Sequence, residues 1–353
     1  MGEKFYFPKL DAIRGAACFY ILVHNFIYGL HSLDLVPDFV KLIFAAGQEA
    51  VIIFFVLSGF LVRISLCRHP DLSFRNYLIK RFRRIYFPFI ISMLLSVFIF
   101  AWNGTLVQKL SGVDIIGNFL LLQDFGSVKP GTWFYPFLGN LPLWSLSYEW
   151  WFYMMFYPLI HWVINPSKRI YYVLLFSAAS YGIYISLPNQ ISLICSYFIV
   201  GWVGVEMANL FLKDRTFTFQ NMRPILLSLL GMVLISAIPL LGESEFKPGY
   251  YPFLMFRHFL AAFLLLAGGL YWYRHKLIYF NQILGYFSIL APISYGIYIF
   301  SYPILVQWGL NSSFPKNWVF YGLNLIILIG LAYLTERKWQ PAIDRWINTK
   351  SGC

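Results

Sequence analysis

The stretch AGQEAVIIFFVLSGFLVRISL at residues 46–66 decides the fold class. It has one carboxylate near its start, one arginine near its end and mostly apolar side chains between them. A run of about 20 such residues matches the length of a helix that crosses the hydrocarbon core of a bilayer. We therefore predict that this stretch is a transmembrane helix.

The whole chain has the same character, since 59% of its 353 residues are hydrophobic and only 12% are charged. Soluble domains usually have about 25% charged residues, so lipid must be the solvent for much of this protein. We predict an all-α integral membrane protein, a bundle of about ten transmembrane helices. The expected helices lie near 10–31, 46–66, 85–103, 143–164, 169–187, 190–212, 224–241, 251–273, 284–310 and 317–334.

The distribution of positive charge predicts the orientation of these helices. If the N-terminus is cytoplasmic and the helices alternate, 21 of the 27 Lys and Arg residues fall on the cytoplasmic side. Because positive residues concentrate in cytoplasmic loops, we predict that both termini are cytoplasmic. The same pattern assigns the net charge of +12 to membrane topology rather than to binding of nucleic acid.

No appended soluble domain is expected, so residues 1–353 form one membrane domain with a short cytoplasmic tail at 335–353. Within the long outer connection, 104–142, the apolar segment 115–122 is too short to span and is predicted to be interfacial or re-entrant. The four scattered cysteines lack the spacing of a disulfide framework or a metal site, and we expect no metal.

Ionisable side chains inside predicted spans are candidate functional residues, because placing them in lipid is costly. His24 lies in the first span, and imidazole is the side chain suited to proton transfer near neutral pH; the alternative is a structural histidine that bonds a neighbouring helix. Glu149, within LWSLSYEWWFY at 143–153, is either functional or an interfacial anchor. The Ser58–Gly59 pair allows two helix backbones to approach closely and a hydrogen bond between helices.

The basic run KRFRRIYFP at 80–88 is the densest cluster of charge in the sequence. Arg81 and Arg84 are three residues apart, so on a helix they share one face. Arginine binds phosphate through two parallel hydrogen bonds, which makes this pair suited to a phosphorylated ligand. An anionic lipid headgroup or a simple cytoplasmic anchor would satisfy the same pattern.

Six motifs in order give the chain a resemblance to the acyltransferase-3 family of bacterial membrane O-acyltransferases. The motifs are LDAIRG at 10–15 with His24 ten residues after Arg14, FFVLSGFL at 54–61, Arg81-x-x-Arg84, LWSLSYEWWFY at 143–153, ISYGIYIFSYPIL at 293–305 and YLTE at 333–336. The sequence departs from the family pattern at Ser301, where relatives often have histidine.

The resemblance implies transfer of an acyl group, usually acetyl, from cytoplasmic acyl-CoA to a sugar hydroxyl. The acceptor would be an envelope glycan, an exported glycan or a lipid-linked sugar at the outer side of the bacterial inner membrane. His24 would be the general base with Arg14 as its motif partner, Arg81 and Arg84 would hold coenzyme A together with Arg14, and Glu149 would shape the acceptor side. The remaining motif residues expected to line or support the substrate site are Asp11, Ser58, Gly59, Ser145, Tyr295 and Ser301.

Two other classes of function stay open at this point. One is a transporter or flippase of a glycan precursor, in which His24 and Glu149 would handle protons or substrate. Transporters often contain internal repeats, and none is visible in this sequence. The other is a non-catalytic partner in polysaccharide assembly, which would tolerate loss of His24.

Overall fold

A computed structural model describes residues 7–31, 35–69, 72–162, 165, 168–308 and 318–350, and these residues are mostly helical. In chain order the α-helices are α1 Pro8–His31, α2 Asp38–Ile43, α3 Gly47–Arg68, α4 Phe74–Trp102, α5 Leu106–Lys109, α6 Gly112–Phe119, α7 Trp144–Trp162, α8 Arg169–Ser186, α9 Gln190–Asp214, α10 Phe219–Ala237, α11 Phe253–Arg274, α12 Phe280–Ile283, α13 Ser294–Tyr302, α14 Trp318–Tyr333 and α15 Gln340–Lys350.

Eight segments of the described chain are long and apolar enough to cross a membrane, which confirms an all-α integral membrane protein. The other two expected spans, α7 and α8, are helices of 19 and 18 residues, but they fall outside these eight. Their many Tyr and Trp side chains lower their hydropathy, and such side chains prefer the membrane interface. Spanning by α7 and α8, like the cytoplasmic position of the termini, stays a prediction.

Helix α4 corrects the expected boundary at residue 85, because it begins at Phe74. Ser73 caps its first turn, where the Ser73 hydroxyl accepts a hydrogen bond from the backbone N–H of Asn76. The basic run at 80–88 therefore belongs to the same helix as the apolar residues that follow it. Arg81 and Arg84 do lie on one helix, as their spacing predicted.

The ninth expected span, 284–310, is broken into three parts. A 3₁₀ segment at Gly285–Ile293 leads into α13, and a π-helical segment at Pro303–Trp308 follows it. Proline removes one backbone donor and crowds the preceding turn, so Pro292 and Pro303 account for the changes of helix type. Residues 309–310, like 163–164 and 317 of other expected spans, lie outside the described residues.

The predicted tail at 335–353 starts inside the bundle. A π-helical segment, Leu334–Trp339, joins α14 to α15. Thr335 is fully buried, and a carboxylate oxygen of Glu336 accepts a hydrogen bond from the backbone N–H of Gly296, 2.9 Å away. The start of this segment is thus packed against α13, because Glu336 finds its partner there; residues 351–353 lie outside the described part.

The outer connection contains the short helix α6, which agrees with the expectation that this segment cannot span. Its apolar residues Val113 and Ile116 are exposed, while Gly117 and Asn118 are buried. An exposed apolar face on an eight-residue helix fits a membrane interface.

A buried ion pair fixes the same connection to the start of α7. Lys129 Nζ lies 3.0 Å from Asp124 Oδ1, and both side chains are almost fully buried. Tyr148 donates a hydrogen bond to the other Asp124 oxygen, and Lys129 Nζ lies 3.9 Å from the centre of the Trp144 ring. Burial lowers the pKa of Lys129, and the Asp124 carboxylate opposes that shift.

Helix α9 is central to the bundle. In its apolar 18-residue stretch 78% of the residues are buried, compared with 28% in the corresponding stretch of the last span, Trp318–Trp346. Helix α9 crosses α3 at glycines, where a Cβ added to Gly59 would lie 2.0 Å from the Gly201 carbonyl oxygen. A Cβ added to Gly204 would come equally close to the backbone of Val56. The close approach predicted from the Ser58–Gly59 pair is therefore present, and it positions α3 beside the candidate site.

Candidate active site

A cavity of about 70 Å³ lies among α1, α3, α4, α7 and α13. It brings together seven of the residues singled out from the sequence, although they come from five separate helices. Its polar lining consists of Arg14, Ser58, Arg81, Arg84, Ser145, Glu149, Tyr153, Ser294, Tyr295 and Tyr298. Asp11, Gly59, His24 and Ser301 do not line it.

Two guanidinium groups in this cavity, those of Arg81 and Arg84, form no ion pair among the described residues, although the carboxylates of Glu149 and Glu336 interact with Arg84 at longer range. Arg81 packs against aromatic rings, with its guanidinium carbon 5.5 Å from the ring centre of Tyr77 and 5.0 Å from that of Tyr153. Its Nε is buried and has no hydrogen-bond partner among the described residues. Arg84 is exposed to the cavity, and the ion pairs of the described residues include none for either arginine. Such a pair attracts an anion.

Arg14 adds a third guanidinium from α1. It lies 3.8 Å from the carboxylate of Asp11, one turn earlier on the helix. Asp11 thus orients Arg14 from outside the cavity. All three arginines line one cavity. That Arg14 acts together with Arg81 and Arg84 stays a prediction.

Glu149 lines the same cavity as the arginines and is held by two hydroxyl groups. Tyr153 donates a hydrogen bond of 2.5 Å to its Oε1, and Ser58 Oγ lies 2.8 Å from the Tyr153 hydroxyl and 3.3 Å from Oε1. Sequence reasoning missed Tyr153. Its position four residues after Glu149 in the same motif was the available signal, because such residues share a helix face.

The other predicted lining residues fix α13 against its neighbours. Ser145 Oγ lies 2.8 Å from the hydroxyl of Tyr298, a second residue that sequence reasoning missed. Tyr295 donates a hydrogen bond of 3.2 Å to the carbonyl of Ile85. These bonds set the width of the cavity between α4, α7 and α13.

His24 lies ten residues beyond Arg14 on α1, which is about 15 Å along a helix. Its Nδ1 is 2.6 Å from the carbonyl oxygen of Phe44, at the turn between α2 and α3. A carbonyl oxygen only accepts, so Nδ1 carries the hydrogen and neutral His24 keeps a lone pair on Nε2. The imidazole packs against Gly47, where an added Cβ would lie 2.6 Å from the ring. His24 is therefore held in the tautomer that a general base at Nε2 requires.

Ser301 supports the chain next to His24. Its hydroxyl accepts a hydrogen bond of 2.8 Å from the side-chain amide of Asn25 and donates one of 3.0 Å to the carbonyl of Tyr298. Ser301 is fully buried. The residue that departs from the family pattern thus joins α13 to α1 beside the candidate base.

The comparisons with known proteins agree with the motifs. A profile of the acyltransferase-3 family, described as an acyltransferase domain, matches residues 7–337. Comparison with curated proteins and with solved structures gave no match. The matched range contains the arginine cavity, Glu149, His24 and Ser301. The protein is a membrane-embedded acyltransferase and belongs to the acyltransferase-3 family.

Proposed function

We propose that this protein moves an acyl group, most readily acetyl, from acyl-CoA to a hydroxyl of an envelope or exported glycan. The donor enters from the cytoplasm, and the acceptor is presented at the outer face of the bacterial inner membrane. The observation that carries the proposal is the Arg81–Arg84 cluster of α4, which forms no ion pair among the described residues. His24 of α1 accompanies it, with the hydrogen bond at Nδ1 leaving the lone pair of Nε2 available to act as a base.

The arginine cluster fits the anionic part of coenzyme A. Arg81 and Arg84 supply guanidinium forks for phosphate oxygens, and the buried Arg81 Nε gains the partner that it lacks. A volume of about 70 Å³ takes one phosphate-sized group or a thin chain. The pantetheine arm is such a chain, so the adenosine end is left to bind outside the cavity.

His24 performs the proton transfers of the proposed reaction. Nε2 takes the proton from the acceptor hydroxyl as its oxygen bonds to the thioester carbonyl carbon. The carbon–sulfur bond then breaks, and the proton on Nε2 passes to the leaving coenzyme A sulfur. The products are an acyl ester and a free thiol, and the Phe44 carbonyl stabilises the imidazolium through its bond to Nδ1–H.

Acylation of cellular glycans tests this proposal. Cells that contain the wild-type protein are expected to carry glycans heavier by one acyl group, as measured by mass spectrometry, and His24→Ala abolishes that increment. His161→Ala is the matched control, because His161 is exposed at the far end of α7 and bonds to its own helix at Tyr157. Wild-type acylation by His24→Ala would instead support the non-catalytic role in polysaccharide assembly.

A further inference from the structure

A large apolar chamber lies on another side of α1 and α3, where they face α9, α10 and α11. Its volume is about 1010 Å³, and its walls are mainly aliphatic and aromatic, with Ile13, Val56, Phe211 and Leu266 among them. Among the residues that the structure describes, Leu57 is the one that lines both this chamber and the arginine cavity. Water does not fill such a chamber favourably, because its apolar walls provide no hydrogen-bond partners.

A basic vestibule of about 440 Å³ adjoins this chamber. Lys9, Arg274 and Lys276 line the vestibule, and Arg215 lines the adjacent part of the chamber. The two spaces share Lys9 together with three aromatic or aliphatic residues, Phe217, Tyr273 and Leu277. The two spaces therefore lie side by side, and one has a basic lining while the other has a mainly apolar lining.

The charges all belong to one end of the bundle. They come from the start of α1, the turn after α9 and the end of α11, which is the predicted cytoplasmic side. No carboxylate of the described residues lines either space. Asp214 is near in sequence, but its carboxylate accepts a hydrogen bond from Asn221 instead.

We propose that the chamber and vestibule form a binding site for an anionic phospholipid. Acyl chains fill the apolar chamber, and the headgroup phosphate lies among Lys9, Arg274 and Lys276. The bilayer supplies the ligand, since basic clusters at the cytoplasmic headgroup level attract anionic lipids. The site does not depend on the proposed acyl transfer, because Arg81, Arg84 and His24 lie outside both spaces.

Native mass spectrometry of the purified full-length protein tests the site with two probes of equal chain length, dioleoyl phosphatidylglycerol and dioleoyl phosphatidylcholine. We expect wild-type protein to bind the anionic lipid at least tenfold more tightly. The triple variant Lys9→Gln/Arg274→Gln/Lys276→Gln loses that preference. The matched control, Arg75→Gln/Lys80→Gln/Arg337→Gln, removes three exposed charges elsewhere and keeps it. Equal affinity of the wild-type protein for the two lipids would overturn the proposal.

The apolar chamber has its own matched pair of variants. Gly269 lines the chamber and Gly268 does not, and a Cβ added to either meets no atom within 4 Å. Gly269→Phe is expected to fill chamber space and weaken phosphatidylglycerol binding at least tenfold, while Gly268→Phe leaves it unchanged. Equal binding by both variants would contradict a site inside the chamber.

A measurement on the wild-type protein alone guards against variants that fail to fold. Phosphatidylglycerol with a photoreactive group in its acyl chain should crosslink to chamber residues of α1, α9 and α11. Excess unlabelled phosphatidylglycerol should suppress these crosslinks, whereas glycerol phosphate, which has no acyl chain, should not. Crosslinks spread evenly over the lipid-facing surface would show an ordinary annulus of lipid and refute the proposal.

Discussion

Replacing Arg84 by glutamine removes one positive charge from the cavity wall while retaining a polar side chain. Arg84 lies exposed in the cavity and forms no ion pair among the described residues, although Glu149 and Glu336 interact with it at longer range. Arg84→Gln should therefore weaken ligand binding more than it lowers the stability of the fold. Arg81→Gln should also weaken ligand binding, and it additionally removes the packing of the guanidinium against the rings of Tyr77 and Tyr153.

The expected magnitude follows from the hydrogen bonds at stake. One hydrogen bond to a charged group contributes about 1.5–3 kcal/mol, and every 1.4 kcal/mol is about tenfold in affinity. Each single substitution is expected to raise the Kd for coenzyme A by about 10- to 100-fold. Arg81→Lys keeps the charge but loses the planar fork and its stacking, so it falls between wild type and Arg81→Gln.

Isothermal titration calorimetry of the purified protein with coenzyme A, at fixed ionic strength, measures these constants. Arg75→Gln is the control, because Arg75 is an exposed residue of the same helix, near its start, that does not line the cavity. Thermal unfolding of each variant shows whether the fold is retained. A Kd for Arg84→Gln within twofold of the wild-type value would refute the assignment of this cluster to the donor phosphates.

Two further predictions concern stability, measured as thermal unfolding of the purified protein in detergent. Gly59→Ala places a Cβ about 2.0 Å from a carbonyl oxygen of α9, well inside contact distance. The substitution should destabilise the bundle by about 1–3 kcal/mol. The control Gly182→Ala should leave stability unchanged, because the added Cβ would have no atom within 4 Å. An unchanged midpoint for Gly59→Ala would contradict the close helix crossing. Lys129→Met leaves the buried side chain of Asp124 without its ion-pair partner and should cost about 3–5 kcal/mol. The double variant Lys129→Met/Asp124→Asn should recover much of that loss, and failure to recover any would argue against a coupled ion pair.

The sequence predicted best what depends on local spacing and length. The apolar run of α3 is long enough to span, and its helix appears within two residues of the expected bounds. Arg81 and Arg84 share a helix face because three residues nearly complete a turn. The small side chains at Ser58 and Gly59 indicated a close helix crossing, which depends mainly on the absence of steric bulk.

Features that depend on tertiary packing escaped the sequence. The charged residues at the start of α4 lower the hydropathy there, which placed the expected start at residue 85. The helical hydrogen bonding nevertheless includes these residues, so the helix begins at Phe74. Ser58 and Tyr153 hold Glu149 in the arginine cavity, a placement that depends on contacts between helices, while the expected role of Glu149 on the acceptor side stays a prediction. The burial of Lys129 could not be read from a loop sequence, since its partner Asp124 and the aromatic rings meet only in the folded chain.

Acyl transfer by the purified protein in lipid vesicles tests the central claim most directly. Acetyl-CoA labelled in its acetyl group is supplied on the side of the arginine cluster, and an envelope glycan fraction is supplied as acceptor. The account predicts that label appears in the glycan in step with free coenzyme A thiol, and that His24→Ala abolishes both while its Kd for coenzyme A is unchanged. Transfer by His24→Ala at the wild-type rate would contradict the account.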